Sequence, residues 1–363
     1  MGKVRFGVIG LKGVGRRHIK CITSIDEAEL VAVADINEEV GKLVASKYDV
    51  EWFKNYENML KRKDLDAVSI CTPHFLHFPM AMKSLEYGKH VLVEKPMAIT
   101  VKEADKMIES ARERGLKLGV VYQYRVNPIY RQIKKIIEDG LIGKIYRVCM
   151  EACTFRTQTY YEGDAWRGKW LTEGGGALIN QTIHHLDVLQ WLVGKPTNIY
   201  GRIGTLYHHI EVEDIASAVI LFENGAHGIV QVGTVDPIVT VRFEICGEKG
   251  KILYEDRGKE VKYAVLERSL KDYVSSEARR VKPEYEWKKI EVEKTSLGHE
   301  EIIRDFTLAI LEDREPLIAG EDGRVSLEMV NAIILSSFEN RMVSLPIDRD
   351  AYENLLNKIS KKN

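Results

Sequence analysis

The sequence predicts an α/β domain with a doubly wound parallel sheet, followed by an α+β domain with a large open antiparallel sheet. Three observations lead to this fold class. The chain has 363 residues, short apolar runs alternate with helical patterns up to about residue 123, and alternating strand patterns follow one another closely from Lys144 onward. We therefore expect two domains, at 1–123 and 124–363.

The length and the charge balance limit the possible functions. A chain of 363 residues favours about two hydrophobic cores. Its 53 Lys and Arg residues nearly balance its 54 Asp and Glu residues, so no overall field attracts nucleic acid or an anionic membrane. With no leader-like segment and no apolar stretch of about twenty residues, we expect a cytoplasmic protein. The five cysteines form no paired ligand motif, and we expect no metal.

The first third of the chain alternates strands and helices. Five apolar runs are rich in Val and Ile without strict alternation, as in strands covered on both faces. They are Val4–Gly10, Leu30–Asp35, Ala67–Cys71, His90–Glu94 and Leu116–Tyr122. The helical patterns between them are Val14–Ser24, Glu38–Lys47, Phe78–Tyr87 and Val101–Arg114. Thr100 and Glu103 form a capping box before the last helix. This βα alternation predicts a parallel sheet with helices on both faces.

The pattern changes after one further helix, at about 128–139. The following strand candidates alternate in polarity, and turn signals at 223–225 and 247–250 predict hairpins of an antiparallel sheet. These strands are Ile145–Thr154, Asn198–Leu206, Ile215–Phe222, Gly228–Val235, Val241–Cys246 and Trp287–Val292. The helices predicted in this half are Gly176–Leu192, His299–Glu312 and Gly323–Ser337.

A glycine-rich turn, Gly10-Leu11-Lys12-Gly13-Val14-Gly15, joins the first strand to the first helix. Glycines let the backbone approach a pyrophosphate closely, and the helix start offers it free N–H groups. Asp35 ends the second strand, where a carboxylate accepts hydrogen bonds from the adenosine ribose. These features predict a Rossmann domain that prefers NAD to NADP. Lys12, at the usual second glycine position, would partly compensate a 2′-phosphate, and the alternative to a nucleotide site is a plain turn with a capping Asp.

Three further segments carry a family resemblance. They are Val93-Glu94-Lys95-Pro96, Gln123-Tyr124-Arg125, and the run from Gly174-Gly175-Gly176 through His184-His185-Leu186-Asp187 to Trp191-Leu192. Together with the glycine turn they resemble the Gfo/Idh/MocA oxidoreductases over essentially the whole chain. That family includes glucose–fructose oxidoreductase, inositol dehydrogenases and nucleotide-sugar 3-dehydrogenases. The resemblance implies a nicotinamide cofactor and a sugar or polyol substrate.

The resemblance also implies roles for particular residues. Lys95 and His184 are expected at the nicotinamide ring beside the substrate carbinol, and the Lys95–Pro96 bond is expected to be cis. Asn180 stands where several relatives carry a carboxylate; it can bind a sugar hydroxyl but cannot take a proton. His74 stands where relatives commonly have Asn, and His77 is an equally good candidate for capping the next helix. The predicted cofactor-binding residues are Gly10, Lys12, Gly13, Val14, Gly15, Asp35, Ile36, Thr72, Pro73, His74, His77, Glu94, Lys95 and Gln123.

The reaction explains the two predicted catalytic residues. Oxidation of a secondary alcohol sends a hydride to nicotinamide and needs a base for the hydroxyl proton. His184 titrates near neutral pH and suits the base, whereas cationic Lys95 would orient the alcohol and polarise the ketone. The reverse assignment remains open, since burial lowers the pKa of a lysine. His184 could instead be a packed core histidine, and Asp187 is read as a supporting or structural residue.

Aromatic and basic residues before the glycine run favour a sugar substrate. Tyr and Trp faces stack on the C–H faces of sugars, and Arg offers planar donors to hydroxyls or carboxylates. The alternative is an aromatic loop buried at a subunit contact. The predicted substrate-binding residues are Lys95, Tyr124, Arg125, Tyr161, Trp166, Arg167, Asn180 and His184.

Three functions remain open on the sequence. The first is an NAD-dependent dehydrogenase of a sugar, sugar acid or cyclic polyol. The second is a glycosidase that retains NAD and oxidises its substrate transiently, and the third is a catalytically silent cofactor-binding regulator. The predicted second sheet is open and would leave one broad face exposed. Relatives bury this face against another subunit, so we expect a homodimer or a homotetramer.

Overall fold

The computed structural model describes residues 2–255, 260–290 and 298–361. The first sheet has six parallel strands in the order β3-β2-β1-β4-β5-β6, as a doubly wound domain requires. Its strands are β1 Val4–Ile9, β2 Ala28–Ala34, β3 Glu51–Phe53, β4 Ala67–Ile70, β5 His90–Val93 and β6 Leu118–Val120. The accompanying helices are α1 Val14–Ser24, α2 Glu38–Tyr48, α3 Tyr56–Leu60, α4 His74–Glu86 and α5 Val101–Glu113.

Local signals account for most of these elements. The Thr100–Glu103 capping box is present, and Asn37 caps α2 by accepting a hydrogen bond from the Val40 N–H. The short β3 and α3 were not predicted, because three to five residues show no readable period. Helix α4 begins four residues earlier than predicted, since Pro79 lies inside the helix instead of in its first turn.

The second sheet has nine strands in the order β14-β13-β12-β11-β7-β10-β9-β8-β15. It is mostly antiparallel as predicted, but β7 and β10 run parallel. The parallel pair arises because helices separate β7 from β8, and the β8-β9-β10 meander then returns to β7. The strands are β7 Ile145–Phe155, β8 Pro196–Gly204, β9 Ile215–Phe222, β10 His227–Gly233, β11 Val235–Gly247, β12 Gly250–Glu255, β13 Glu260–Leu266, β14 Tyr285–Ile290 and β15 Val343–Ser344. The predicted strand Trp287–Val292 overlaps β14, and its last two residues lie outside the described residues.

The predicted helix Gly176–Leu192 is interrupted. A π-helical turn spans Ala177–Gln181, and α8 begins only at Ile183 and ends at Val193. Thr182 marks the break, where both its N–H and its hydroxyl donate to the carbonyl oxygen of Ala177. Single π-turns of this kind are common at functional sites.

The remaining helices follow β6 in the chain, and some of them pack on the first sheet. After a 3₁₀ turn at Gln123–Val126, the helices are α6 Pro128–Glu138, α7 Gln158–Glu162, α9 Leu270–Val274, α10 His299–Leu311, α11 Gly320–Glu339 and α12 Arg349–Ser360. Helices α10 and α11 return to the first sheet, where α10 packs on α1 and β1 and α11 on α5 and β6. None of the helices in the described ranges has the length and apolarity needed to cross a membrane.

Candidate active site

The glycine turn is packed on its inner side and open on its outer side. A Cβ on Gly10 would lie 2.6 Å from the Cys71 carbonyl oxygen, and one on Gly15 would lie 1.9 Å from the Gly10 carbonyl oxygen. At Gly13, where φ is +48°, a Cβ would meet none of the described atoms within 4 Å. Gly13, the residue before α1, has no side chain to accept hydrogen bonds from the first N–H groups of the helix. A tight turn, an open cradle and uncapped N–H groups fit a dinucleotide pyrophosphate.

Asp35 lies beside this turn, directly after β2. Its Oδ2 accepts the N–H of Leu11 at 2.8 Å, and its Oδ1 accepts the N–H of Asn37 at 2.8 Å. These bonds fix the carboxylate, which still has lone pairs for the two hydroxyls of a ribose. Ile36 is 84% exposed next to it, and Lys12 is exposed on the turn.

The predicted histidines after β4 contact protein groups. His74 Nδ1 donates to the Glu173 carbonyl oxygen at 2.9 Å, and its ring lies 4.7 Å from that of Trp166. The two ring nitrogens of buried His77 lie 2.7 Å from the carbonyl oxygens of Pro96 and Thr72. His77 therefore fixes the loop at Thr72, whereas His74 ties the start of α4 to Glu173. His77 lies inside α4 and does not cap it.

Glu94 links the backbone of Lys95 to the buried His18. Its Oε1 lies 2.9 Å from His18 Nε2, and its Oε2 accepts the N–H of Lys95 at 3.2 Å. Burial alone would raise the pKa of Glu94, but the hydrogen bond and charge of His18 lower it to about 2. The predicted cis peptide bond between Lys95 and Pro96 is present.

A cavity of about 570 Å³ brings the two halves of the chain together. Five of the predicted site residues line it, three from the first half of the chain and two from the π-turn and α8. They are Lys95, Gln123, Tyr124, Asn180 and His184. The amine and the imidazole expected at the nicotinamide ring therefore share one cavity.

Lys95 and His184 are both buried in this cavity. Lys95 Nζ donates to the Asn180 carbonyl oxygen at 2.7 Å, beside the break between the π-turn and α8. The His184 ring stacks on Tyr124 at 4.7 Å, and its Nδ1 is buried without a hydrogen-bond partner among the described residues. Burial lowers the pKa of His184 well below its usual 6.5, and the charge of Lys95 lowers it further. Burial also lowers the pKa of Lys95.

A buried carboxyl group orients Asn180. The Nδ2 of Asn180 donates to Glu173 Oε1 at 2.5 Å, and Glu173 Oε2 accepts the N–H of Gly168 at 2.5 Å. Burial raises the pKa of Glu173. Because Glu173 binds the amide nitrogen of Asn180, the amide oxygen remains to accept a hydrogen bond from a substrate hydroxyl.

Four predicted substrate residues lie outside the cavity. Arg125 is held in a buried ion pair, with its Nε and Nη2 bonded to Asp187 at 2.8 and 2.7 Å and its Nη1 to Asp322 at 3.0 Å. The other three belong to the segment before the glycine run. Tyr161 and Arg167 line a second cavity of about 650 Å³, and the Trp166 ring packs against that of His74 at an angle of 57°. Each of these four side chains contacts protein partners, and Arg167 lies close enough to the first cavity to donate to Tyr160, which lines it.

The cavity also contains residues that the sequence did not single out. Arg156 and Gln181 are two of them, and Tyr160 lines the cavity in place of its neighbour Tyr161. His185 also lines the cavity, packed against Tyr124 with ring centres 5.1 Å apart. A signal was available for Arg156, a basic residue directly after a strand. None distinguished Tyr160 from Tyr161.

Comparisons with known proteins agree with this geometry. Residues 4–122 match the family described as "Oxidoreductase family, NAD-binding Rossmann fold", and residues 130–253 match the "GFO/IDH/MocA C-terminal domain". The chain is 27% identical over 362 residues to the scyllo-inositol 2-dehydrogenase (NAD(+)) of Bacillus subtilis, covering 96% of this chain and 98% of that protein. It is 25% identical over 367 residues to the myo-inositol 2-dehydrogenase of Thermotoga maritima, covering 94% and 98%.

Solved structures show the same likeness. The WlbA dehydrogenase from Bordetella pertussis, in complex with NADH and UDP-GlcNAcA, matches with a TM-score of 0.82 and 31% identity, covering 95% of this chain and 100% of that one. A levoglucosan dehydrogenase in complex with NADH shares the fold, with a TM-score of 0.82 at 23% identity. The two domain matches and the full-length similarity show that this chain belongs to the Gfo/Idh/MocA family of oxidoreductases.

Proposed function

We propose that the chain oxidises a secondary alcohol of a sugar, sugar acid or cyclic polyol and passes the hydride to NAD. One observation carries the proposal: Lys95 and His184 line a single cavity that also contains residues from both halves of the chain. The glycine turn and Asp35 supply the features of a dinucleotide site on the same first sheet.

The residues divide the work of the reaction as follows. NAD, when bound, accepts the hydride from the carbinol carbon. His184 takes the hydroxyl proton through Nε2, since Nδ1 is buried, and its lowered pKa keeps the ring unprotonated at neutral pH. Lys95, as a cation, holds the oxygen as it becomes a ketone, and the Asn180 amide oxygen orients a neighbouring hydroxyl.

NADH formation over a panel of inositols, aldoses, sugar acids and nucleotide sugars tests the proposal. A dehydrogenase accumulates NADH with at least one member of the panel. Release of a sugar from a glycoside without net NADH would indicate the glycosidase instead. Binding of NAD without turnover of any member would indicate a regulator.

Asp35 is expected to set a preference for NAD over NADP, because its fixed carboxylate repels a 2′-phosphate. Replacing Asp35 with Ala removes a charged hydrogen-bond acceptor, which lowers kcat/KM for NAD by about 10- to 100-fold and lowers it less for NADP. The control is Glu39→Ala, an exposed acid in the first turn of α2. Steady-state rates with both cofactors decide this, and equal efficiency of the unmodified enzyme with NADP would contradict it.

We also propose that a second copy of the chain covers the outer face of the nine-stranded sheet. Tyr200 and Ile229 are both paired with Val219 across neighbouring strands, and the three side chains are 40%, 55% and 44% exposed. A row of exposed apolar residues on a sheet is typical of an interface. Light scattering should give the mass of a dimer or a tetramer, and a monomer at micromolar concentration would contradict this. A cytoplasmic location stays a prediction.

A further inference from the structure

Arg156 is a cavity cation whose positive charge has no acidic partner among the described residues. It follows β7 directly and lines the cavity with Lys95. Its Nη1 donates to the Phe155 carbonyl oxygen at 2.8 Å and to Thr154 Oγ1 at 3.3 Å, and its Nη2 donates to Gln181 Oε1 at 2.6 Å. All of these partners are neutral, so the guanidinium is held in place while its charge is not compensated.

Among the described residues, the two charged side chains that line the cavity are both cations. Lys95 is its second cation and also donates only to a neutral group, the Asn180 carbonyl oxygen. None of the described residues that line the cavity is an Asp or a Glu. The carboxyl group of Glu173 does not line the cavity and is bonded to Asn180 and Gly168. Two cations in a partly buried cavity favour an anionic ligand.

Arg156 keeps the donors that suit a carboxylate. Its Nε–H and one Nη2–H donate to none of the described residues, whereas in Arg125 the Nε and Nη2 bind both oxygens of Asp187. A carboxylate accepts such a planar pair in the same way. A neutral polyol offers no charge to match it.

Tyr160 adds a neutral donor next to Arg156. Its ring lies 5.2 Å from the Arg156 guanidinium carbon. Its oxygen accepts hydrogen bonds from Gln181 Nε2 at 2.8 Å, from Arg167 and, more weakly, from Asn180 Nδ2 at 3.5 Å. Because all three contacts use the phenol oxygen as acceptor, the phenol proton is available to a ligand in the cavity.

We propose that the substrate carries a carboxylate on its sugar ring and that Arg156, assisted by the Tyr160 hydroxyl, binds that carboxylate. The proposal rests on the proposed function, since it requires the sugar to be oxidised in this cavity. The shared chemistry is a ring carboxylate, which either a free uronic acid or a nucleotide-linked one supplies.

The test compares substrates that differ only in the carboxylate. NADH formation is measured with glucuronate against glucose, galacturonate against galactose, and a UDP-linked uronate against its neutral UDP-sugar. We expect kcat/KM for the acid to exceed that for its neutral partner by at least about 10-fold. Turnover of the free or of the UDP-linked acid identifies the source of the carboxylate.

Variants then assign the effect to Arg156. Arg156→Gln should lower kcat/KM for the acid by about 10- to 100-fold, mainly through KM, and should leave the neutral partner nearly unchanged. Arg156→Lys keeps the charge but loses the planar donor pair. Its kcat/KM for the acid should therefore lie between those of the unmodified enzyme and Arg156→Gln. The matched control is Arg147→Gln, which lies within β7, the strand that Arg156 follows, and is paired with Glu244 outside the cavity.

The results of these assays distinguish a failure of the carboxylate site from a failure of the proposed dehydrogenase function. If neutral sugars or inositols are oxidised as well as acids, and Arg156→Gln affects them equally, the carboxylate site is wrong and the dehydrogenase stands. If no member of the panel yields NADH, the dehydrogenase and the carboxylate site are both wrong.

Discussion

Replacing His184 with Ala is expected to lower kcat by about 10²- to 10⁴-fold, the usual contribution of a general base. Affinity for NAD should change little, because the predicted pyrophosphate and ribose contacts lie at the glycine turn and Asp35. Single-turnover rates and a fluorescence titration of NADH binding measure the two effects separately. Near-normal turnover would remove His184 from the chemistry.

Two substitutions of Lys95 test which residue is the base. If Lys95 acts as a cation, Lys95→Arg should retain more activity than Lys95→Met, because Arg keeps the charge. If Lys95 is the base, both variants should be equally inactive, since Arg does not lose its proton in proteins. Circular dichroism spectra serve as the control for folding.

The pH profile gives an independent check. The unprotonated form of His184 is present above its pKa, which burial and Lys95 lower well below 6.5. Alcohol oxidation should therefore stay constant down through pH 6.5 and decline only in more acidic solution. At alkaline pH it should decline as Lys95 loses its proton, at a pKa that burial has lowered from 10.5. An acid limb centred at or above pH 6.5 would contradict this assignment.

The second large effect is expected at Arg125, on stability. Replacing Arg125 with Met leaves Asp187, which is fully buried, without its bidentate partner. Removing one partner of a buried ion pair typically costs about 3 to 5 kcal/mol. Because Gln123 and Tyr124 belong to the same 3₁₀ turn and line the cavity, the rate should fall as well. Denaturant unfolding measures the loss.

Two variants control for this result. Arg112→Met breaks a pair with Glu321 in which both side chains are largely exposed, so it should cost less than about 1 kcal/mol. The double variant Arg125→Met, Asp187→Leu removes the unpaired charge and should recover much of the loss. A loss as small in Arg125→Met as in Arg112→Met would show that the buried pair is unimportant.

The sequence predicted the parts of the molecule that depend on local patterns. The glycine turn, Asp35 and the Thr100 capping box each lie within a few residues of what they stabilise. Lys95 and His184 were predicted from the resemblance, and the structure places both in one cavity. Their roles there stay proposals.

The parts that were missed depend on distant contacts. Arg125 was predicted to face the substrate, but its ion partner Asp187 lies 62 residues away and cannot be seen from either segment. Tyr160 and Tyr161 are adjacent on a short helix and therefore point about 100° apart. The interruption at Thr182 was missed because a π-turn followed by an α-helix shows nearly the same apolar pattern as one continuous helix.

The return of α10 and α11 to the first sheet has a consequence for synthesis of the protein. Phe306 packs beside Gly119 and near Phe6, and Gly320 packs against Leu118. Phe306 and Gly320 leave the ribosome only after most of the chain has been made. The apolar surface of the first sheet that they cover is therefore exposed to solvent on the nascent polypeptide until then. A fragment ending near residue 122 would keep that surface exposed and is expected to aggregate instead of binding nucleotide.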